Sequence, residues 1–142
     1  MSILTSFLNS KVWLMIAGAF LVILGSVGLI SGQAAESAST FWPNGLTDSE
    51  LNIAKVIEVV WTVHVLGMGI ILFAIGLLAA NPIGARIGSI GMIAVLGSQF
   101  MAGGLAAGYG YAGFEGFNAF AAVFMFINLV TLISCLSKIN AK

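Results

Sequence analysis

Four stretches of the chain each carry enough consecutive apolar residues to cross a bilayer, and that constrains everything else. They run over 12–30 (VWLMIAGAFLVILGSVGLI), 56–80, 83–107 and 117–136. A hydrocarbon core takes roughly 20 helical residues. Inside lipid every backbone N–H and C=O needs a partner, so such runs form helices rather than an open sheet. Composition points the same way. Of 142 residues, 60% are hydrophobic and 7% charged, and mean hydropathy is +1.11. Soluble domains carry about 25% charged residues, so a chain like this could not cover itself in water. The expected fold is all-α: a single membrane domain over 1–142, built as a four-helix transmembrane bundle with an outer loop at 31–47.

The first run invites comparison with a signal peptide, because Lys11 precedes it and SGQAAES follows. Its apolar length exceeds the roughly 7–15 residues of a signal h-region, so it is read as a retained transmembrane helix. Basic residues set the expected orientation. Lys11, Arg86, Lys138 and Lys142 fall on one side of a four-span chain, whereas Lys55 is the only base on the other. The positive-inside rule puts both termini in the cytoplasm. Glu36, Asp48, Glu50 and Glu115 lie at the opposite side.

Five basic and five acidic residues give a formal charge of +0. There is no basic tract for nucleic acid and no polybasic arm for anionic lipid. Cys135 is the single cysteine, which excludes an internal disulfide and a cysteine-based metal cluster; it reads as a small packing residue. No nucleophile–base–orienter set and no HExxH motif is visible. The chain is therefore not expected to be an enzyme, and it carries no catalytic or metal-site assignment.

Local signals add detail. TDSE (Thr47 to Glu50) is a capping box, so the second helix should begin near Asp48, before the hydrocarbon does. From there to Ala80 is roughly 50 Å at 1.5 Å per residue, longer than the bilayer core. The Ser31–Leu46 link is expected to be the largest non-helical piece, with FWPNG supplying a turn. The short NPIGAR link makes spans two and three a tight antiparallel hairpin. Trp13, Phe41, Trp42, Trp61, Tyr109 and Tyr111 are placed as interface anchors, since aromatic residues favour the headgroup zone.

The chain holds 18 glycines, many at heptad spacing: Gly18 and Gly25, Gly69 and Gly76, Gly84 and Gly91, Gly97 and Gly104, with Gly88 completing a GxxxG step from Gly84. In lipid, helices associate through close approach along small-residue faces, and these glycines are assigned to helix packing. A phosphate loop is excluded because no strand precedes GYGYAG and no lysine follows it.

The chemistry-bearing residues are few. His64, the only histidine, lies in span two at a depth comparable with Gln99 in span three and Asn118 at the start of span four. Intramembrane polar side chains face the bundle interior because lipid exposure is costly, so a hydrogen-bonded group of His64, Gln99 and Asn118 is expected. Three readings of His64 stand open. As interhelical glue, each hydrogen bond is worth about 0.6 kcal/mol; this is the favoured reading. As an axial ligand, it would hold haem b or a chlorophyll, imidazole being a common metal ligand. As part of a proton or quinone site, it would act with Glu58. Asn128 is expected to make a further interhelical hydrogen bond.

From about Lys55 to Ser137 the pattern resembles uncharacterised prokaryotic four-helix membrane proteins that carry a histidine early in helix two, a glutamine late in helix three and an asparagine at the start of helix four. Here these are His64, with glycine at Gly67, then Gln99 and Asn118; Glu115 stands where that family has a second histidine. The architecture is also similar to DoxX-like four-helix proteins. The resemblance implies a multi-pass protein of a prokaryotic cytoplasmic or intracytoplasmic membrane. The expected function is a non-catalytic accessory subunit of a larger membrane complex, with other membrane subunits and lipids as partners and homo-oligomerisation open. A haem- or chlorophyll-binding subunit and a small proton- or quinone-handling protein are the alternatives.

Overall fold

A computed structural model of the chain describes residues 7–42, 45–112 and 119–140. Its long helices are α1 (Ser10–Ile30), α4 (Asp48–Leu78), α5 (Ile83–Ala107) and α6 (Ala119–Leu136), with the short α2 (Gln33–Glu36) and α3 (Ala38–Phe41) between α1 and α4. Among the described residues there is no strand. Three helices, α1, α4 and α5, are long and apolar enough to cross a membrane. The chain thus has the build of a multi-pass membrane protein. The described part of α6 is 18 residues, or roughly 27 Å of helix. Its start, expected at 117, lies outside the described residues.

Each start signal has a physical counterpart. Asn9 caps α1 by accepting from the backbone N–H groups of Lys11 and Val12. The Thr47–Glu50 capping box forms as the spacing predicts: Glu50 Oε2 accepts from the Thr47 N–H at 2.8 Å and from the Thr47 hydroxyl at 2.6 Å. The resulting α4 has 31 residues and spans roughly 46 Å. The link 31–47 departs from expectation, because α2 and α3 occupy much of it. Gly32 turns the chain through a left-handed conformation (φ 77°), a region glycine enters without a Cβ penalty. One helical turn follows on each side of Ser37, with Ala34 and Ala38 buried beneath. Small side chains let these turns lie on the neighbouring long helices.

In the bundle, α1 packs intimately along α4 and also against α6, while α5 packs on α6 and α4; among the described residues the α4 and α6 backbones do not approach one another closely. Along the α1–α4 seam, glycines let the two backbones approach closely. A Cβ on Gly69 would come within 2.8 Å of both the Leu21 Cβ and the Val22 backbone nitrogen, and one on Gly18 would strike the Phe73 and Gly69 backbone. Gly25 faces Leu66, and Gly76 faces the backbone of Lys11 and Met15. Gly84 abuts Ala79, Gly88 lies between Leu14 and Cys135, and Gly91 meets Leu72. The core gathers Leu14, Ala17, Leu21, Leu72, Met92, Val95 and Cys135 from all four long helices.

Polar ties mark the two ends. At one, the Ser10 hydroxyl donates to Asn81 Oδ1 at 3.1 Å, and Arg86 Nε donates to the Ile139 carbonyl at 2.8 Å. Lys11, Arg86 and Lys138 lie at this end, next in sequence to or within these ties. At the other, the Ala112 N–H donates to the Phe41 carbonyl at 2.8 Å, joining the α3 and α5 ends.

Candidate functional site

His64 sits on the outside of α4, exposed. Its Nδ1 lies 2.8 Å from the Val60 carbonyl of its own helix. A carbonyl only accepts, so Nδ1 carries the hydrogen; in the neutral ring, Nε2 is then a bare acceptor. Val60, Val63 and Ile71 around it are exposed apolar side chains, and a Cβ on Gly67, three residues on, would meet nothing within 4 Å. Gln99 is half-buried on the inward stripe of α5 that also carries Gly88, Met92 and Gly103. Among the described residues no hydrogen bond joins it to His64, whose ring nitrogen is engaged with Val60. Asn118 lies outside the described residues. The chain's one histidine is therefore held by its own helix.

Glu58 occupies a different side of the same helix. It is buried, 5% exposed, whereas His64 is exposed. The Trp42 indole N–H faces the Glu58 carboxylate, yet among the described residues no acceptor completes hydrogen-bond geometry with Nε1, which is itself buried. Tyr111 packs edge-on to Trp42, with ring centroids 5.3 Å apart at 70°, and stacks on Phe41 at 5.3 Å and 23°. Such pairs contribute roughly 0.5–1.5 kcal/mol beyond area burial. Burial, reinforced by the negative charge of Glu58, pushes the Tyr111 phenol up to about 12.

Beside this cluster, a cleft of about 390 Å³ opens between the first turns of α4 and the end of α5, lined by Trp42, Glu50, Ile53, Ile57 and Tyr109. Tyr109 is 84% exposed. At the opposite end of the bundle, Trp13 is half-buried and donates its N–H to the Phe7 carbonyl at 2.6 Å. It sets its ring edge-on to Phe7 and Phe126. Trp61 is half-buried on α4, one turn beyond Glu58.

The sequence reading paired Glu58 with His64 and placed the aromatic residues as interface anchors, and did not join the two. Their convergence uses three separate segments, and the only local signal was the FW pair at Phe41–Trp42. It also misassigned Asn128. That side chain, fully buried, donates Nδ2 to the Phe124 carbonyl of its own helix at 2.7 Å, and among the described residues Oδ1 has no partner. The interhelical bond on this face comes from Thr131, whose hydroxyl lies 3.2 Å from the Trp13 carbonyl and 2.7 Å from that of Ile127. The run Asn128, Thr131, Ser134 was the readable signal, because residues three apart are neighbours on a helix surface.

Among the described residues no group of three or more His, Cys, Asp or Glu side chains could hold a metal ion. A single imidazole suffices for a macrocycle that brings its own metal, and His64 is the residue that could supply it. No family model, curated protein or solved structure matches the chain.

Proposed function

We propose that the chain is a four-span transmembrane bundle with both termini cytoplasmic, acting as a non-catalytic accessory subunit of a larger membrane assembly. The observation that carries this reading is a set of small-residue positions the fold leaves unused. Gly97 and Gly104 on α5 have nothing within 4 Å of where a Cβ would stand, while exposed Ile93, Phe100, Met101 and Leu105 flank them. Glycines at helical spacing let a neighbouring helix approach closely, and among the described residues no helix does. The lateral partner is another membrane helix.

Native mass measurement in mild detergent tests this. Gly97→Leu and Gly104→Leu should leave the chain folded, because the added side chains enter open space, and should abolish the larger assembly. A wild-type chain that stays a solitary monomer under the mildest extraction overturns the reading.

One observation favours a second reading. The Nδ1–Val60 bond leaves His64 Nε2 free and exposed, and metal-ligating histidines commonly donate their other N–H to a backbone carbonyl. With Gly67 open beside it, the His64 face has room for the plane of a haem or chlorophyll. A Soret or chlorophyll band in the purified protein, lost in His64→Ala, supports the cofactor subunit; a colourless preparation from the native membrane removes it.

A further inference from the structure

The geometry points to the Trp42 cleft as a seat for a membrane-borne organic ammonium: a cationic head with an alkyl chain, held by the Trp42 and Tyr109 rings and the Glu50 carboxylate, with Glu58 behind Trp42. The cleft volume, about 390 Å³, falls in the range of small-molecule sites, roughly 300–1,000 Å³. Trp42 and Tyr109 present aromatic surface to it, and an ammonium within about 6 Å of a ring centroid is drawn to the negative face of the ring.

Two carboxylates set the sign. Glu50 lines the cleft directly; Thr47 engages only its Oε2, so Oε1 is left for a ligand. Glu58 stands behind Trp42, buried and with no basic side chain among the described residues pairing with it. Its carboxyl group faces the N–H edge of the indole, the opposite pole of the ring from the face a cation meets. Tyr111, packed edge-on against Trp42 and stacked on Phe41, fixes that ring in place. Glu58 and Tyr111 are thus positioning residues, whereas Trp42, Tyr109 and Glu50 touch the ligand.

The surroundings choose among cations. A hard metal ion would need six or more oxygen ligands, and one free carboxylate oxygen between aromatic rings does not provide them. An anion meets two carboxylates at an end where Glu36 and Asp48 also lie and where Lys55 is the one base among the described residues. The apolar side of the cleft continues outward through Ile53 and Ile57, 60% and 49% exposed, along the face α4 turns to lipid. That continuation commits the ligand to an amphiphile from the bilayer rather than a soluble ammonium.

The test uses the full chain in nanodiscs of an uncharged glycolipid, titrated with dodecyltrimethylammonium while the heat of binding is followed by calorimetry. A saturable change is expected that Trp42→Phe removes and that Glu50→Gln and Glu58→Gln each weaken by roughly five- to tenfold, the span of one cation–π or carboxylate contact. Glutamine can still close the capping box, so Glu50→Gln keeps the fold and carries the test should Trp42→Phe misfold. Tetramethylammonium should bind at least about tenfold more weakly, having no chain to bury. Equal binding of the short and long probes overturns the membrane source. An isotherm unchanged in both glutamine variants, or matched by an uncharged dodecyl ether, overturns the site.

Discussion

Tyr111 illustrates how a single residue reports its surroundings. Its phenol is pushed up to about 12 by burial and by the Glu58 charge, against about 10 for a free tyrosine. Between those values the unfolded chain has released the proton and the folded one still holds it, so stability contributed by Tyr111 is complete below pH 10 and is lost as pH rises toward 12. A spectrophotometric titration should therefore show a late phenolate component at about pH 12 that disappears in Tyr111→Phe. Melting curves of the two proteins should differ less at pH 12 than at pH 9. Asn128 supplies a contrasting residue. Its Oδ1 is buried without a partner among the described residues and Nδ2 serves only its own helix, so Asn128→Leu, similar in volume, should leave stability unchanged or raise it by up to about 1–2 kcal/mol. A loss above about 2 kcal/mol in an unfolding equilibrium would show that Asn128 has a partner the geometry does not reveal.

At the scale of elements, glycines of like spacing separate into two kinds. Gly18 and Gly69 sit where α1 and α4 meet backbone to backbone, and Gly18→Ala should cost about 1–3 kcal/mol through overpacking. Gly104 looks onto open space, and Gly104→Ala should stabilise the isolated chain by roughly 0.5–1 kcal/mol, the ordinary helical gain over glycine. Reversible unfolding in mixed micelles distinguishes the two, and equal effects would contradict the assigned seam. The heptad spacing was legible from sequence for both sets. Which helix each set meets was not, since spacing describes one helix and packing involves two. The α4 start was legible because its cap is local: Thr47→Ala should lower stability by about 1 kcal/mol, measured in the same assay. The outer link was misread because α2 and α3 are single turns, too short for a periodic pattern, and hold through Ala34 and Ala38 packing on helices far away in sequence.

For the whole molecule, orientation is the decisive property. Cys135 is fully buried and gives no background to labelling. Ser39→Cys and Ser137→Cys, exposed at opposite ends, should therefore behave differently in spheroplasts. The first should react with an impermeant maleimide from outside, and the second only after permeabilisation. Reaction of both from outside would leave an odd number of crossings and overturn the four-span topology proposed above.

Sequence by itself determined the solvent and the class of element: apolar runs with so few charges must be membrane helices, because lipid offers no partner to an unpaired backbone group. It also marked where α4 begins and which residues could carry chemistry. Only the tertiary structure decided what those residues meet. It turned His64 outward onto the Val60 carbonyl, set Glu58 behind Trp42 and Tyr111, and left Gly97 and Gly104 open. Helical phase fixes directions within one helix, whereas the rotation of each helix against its neighbours follows from packing the whole bundle at once.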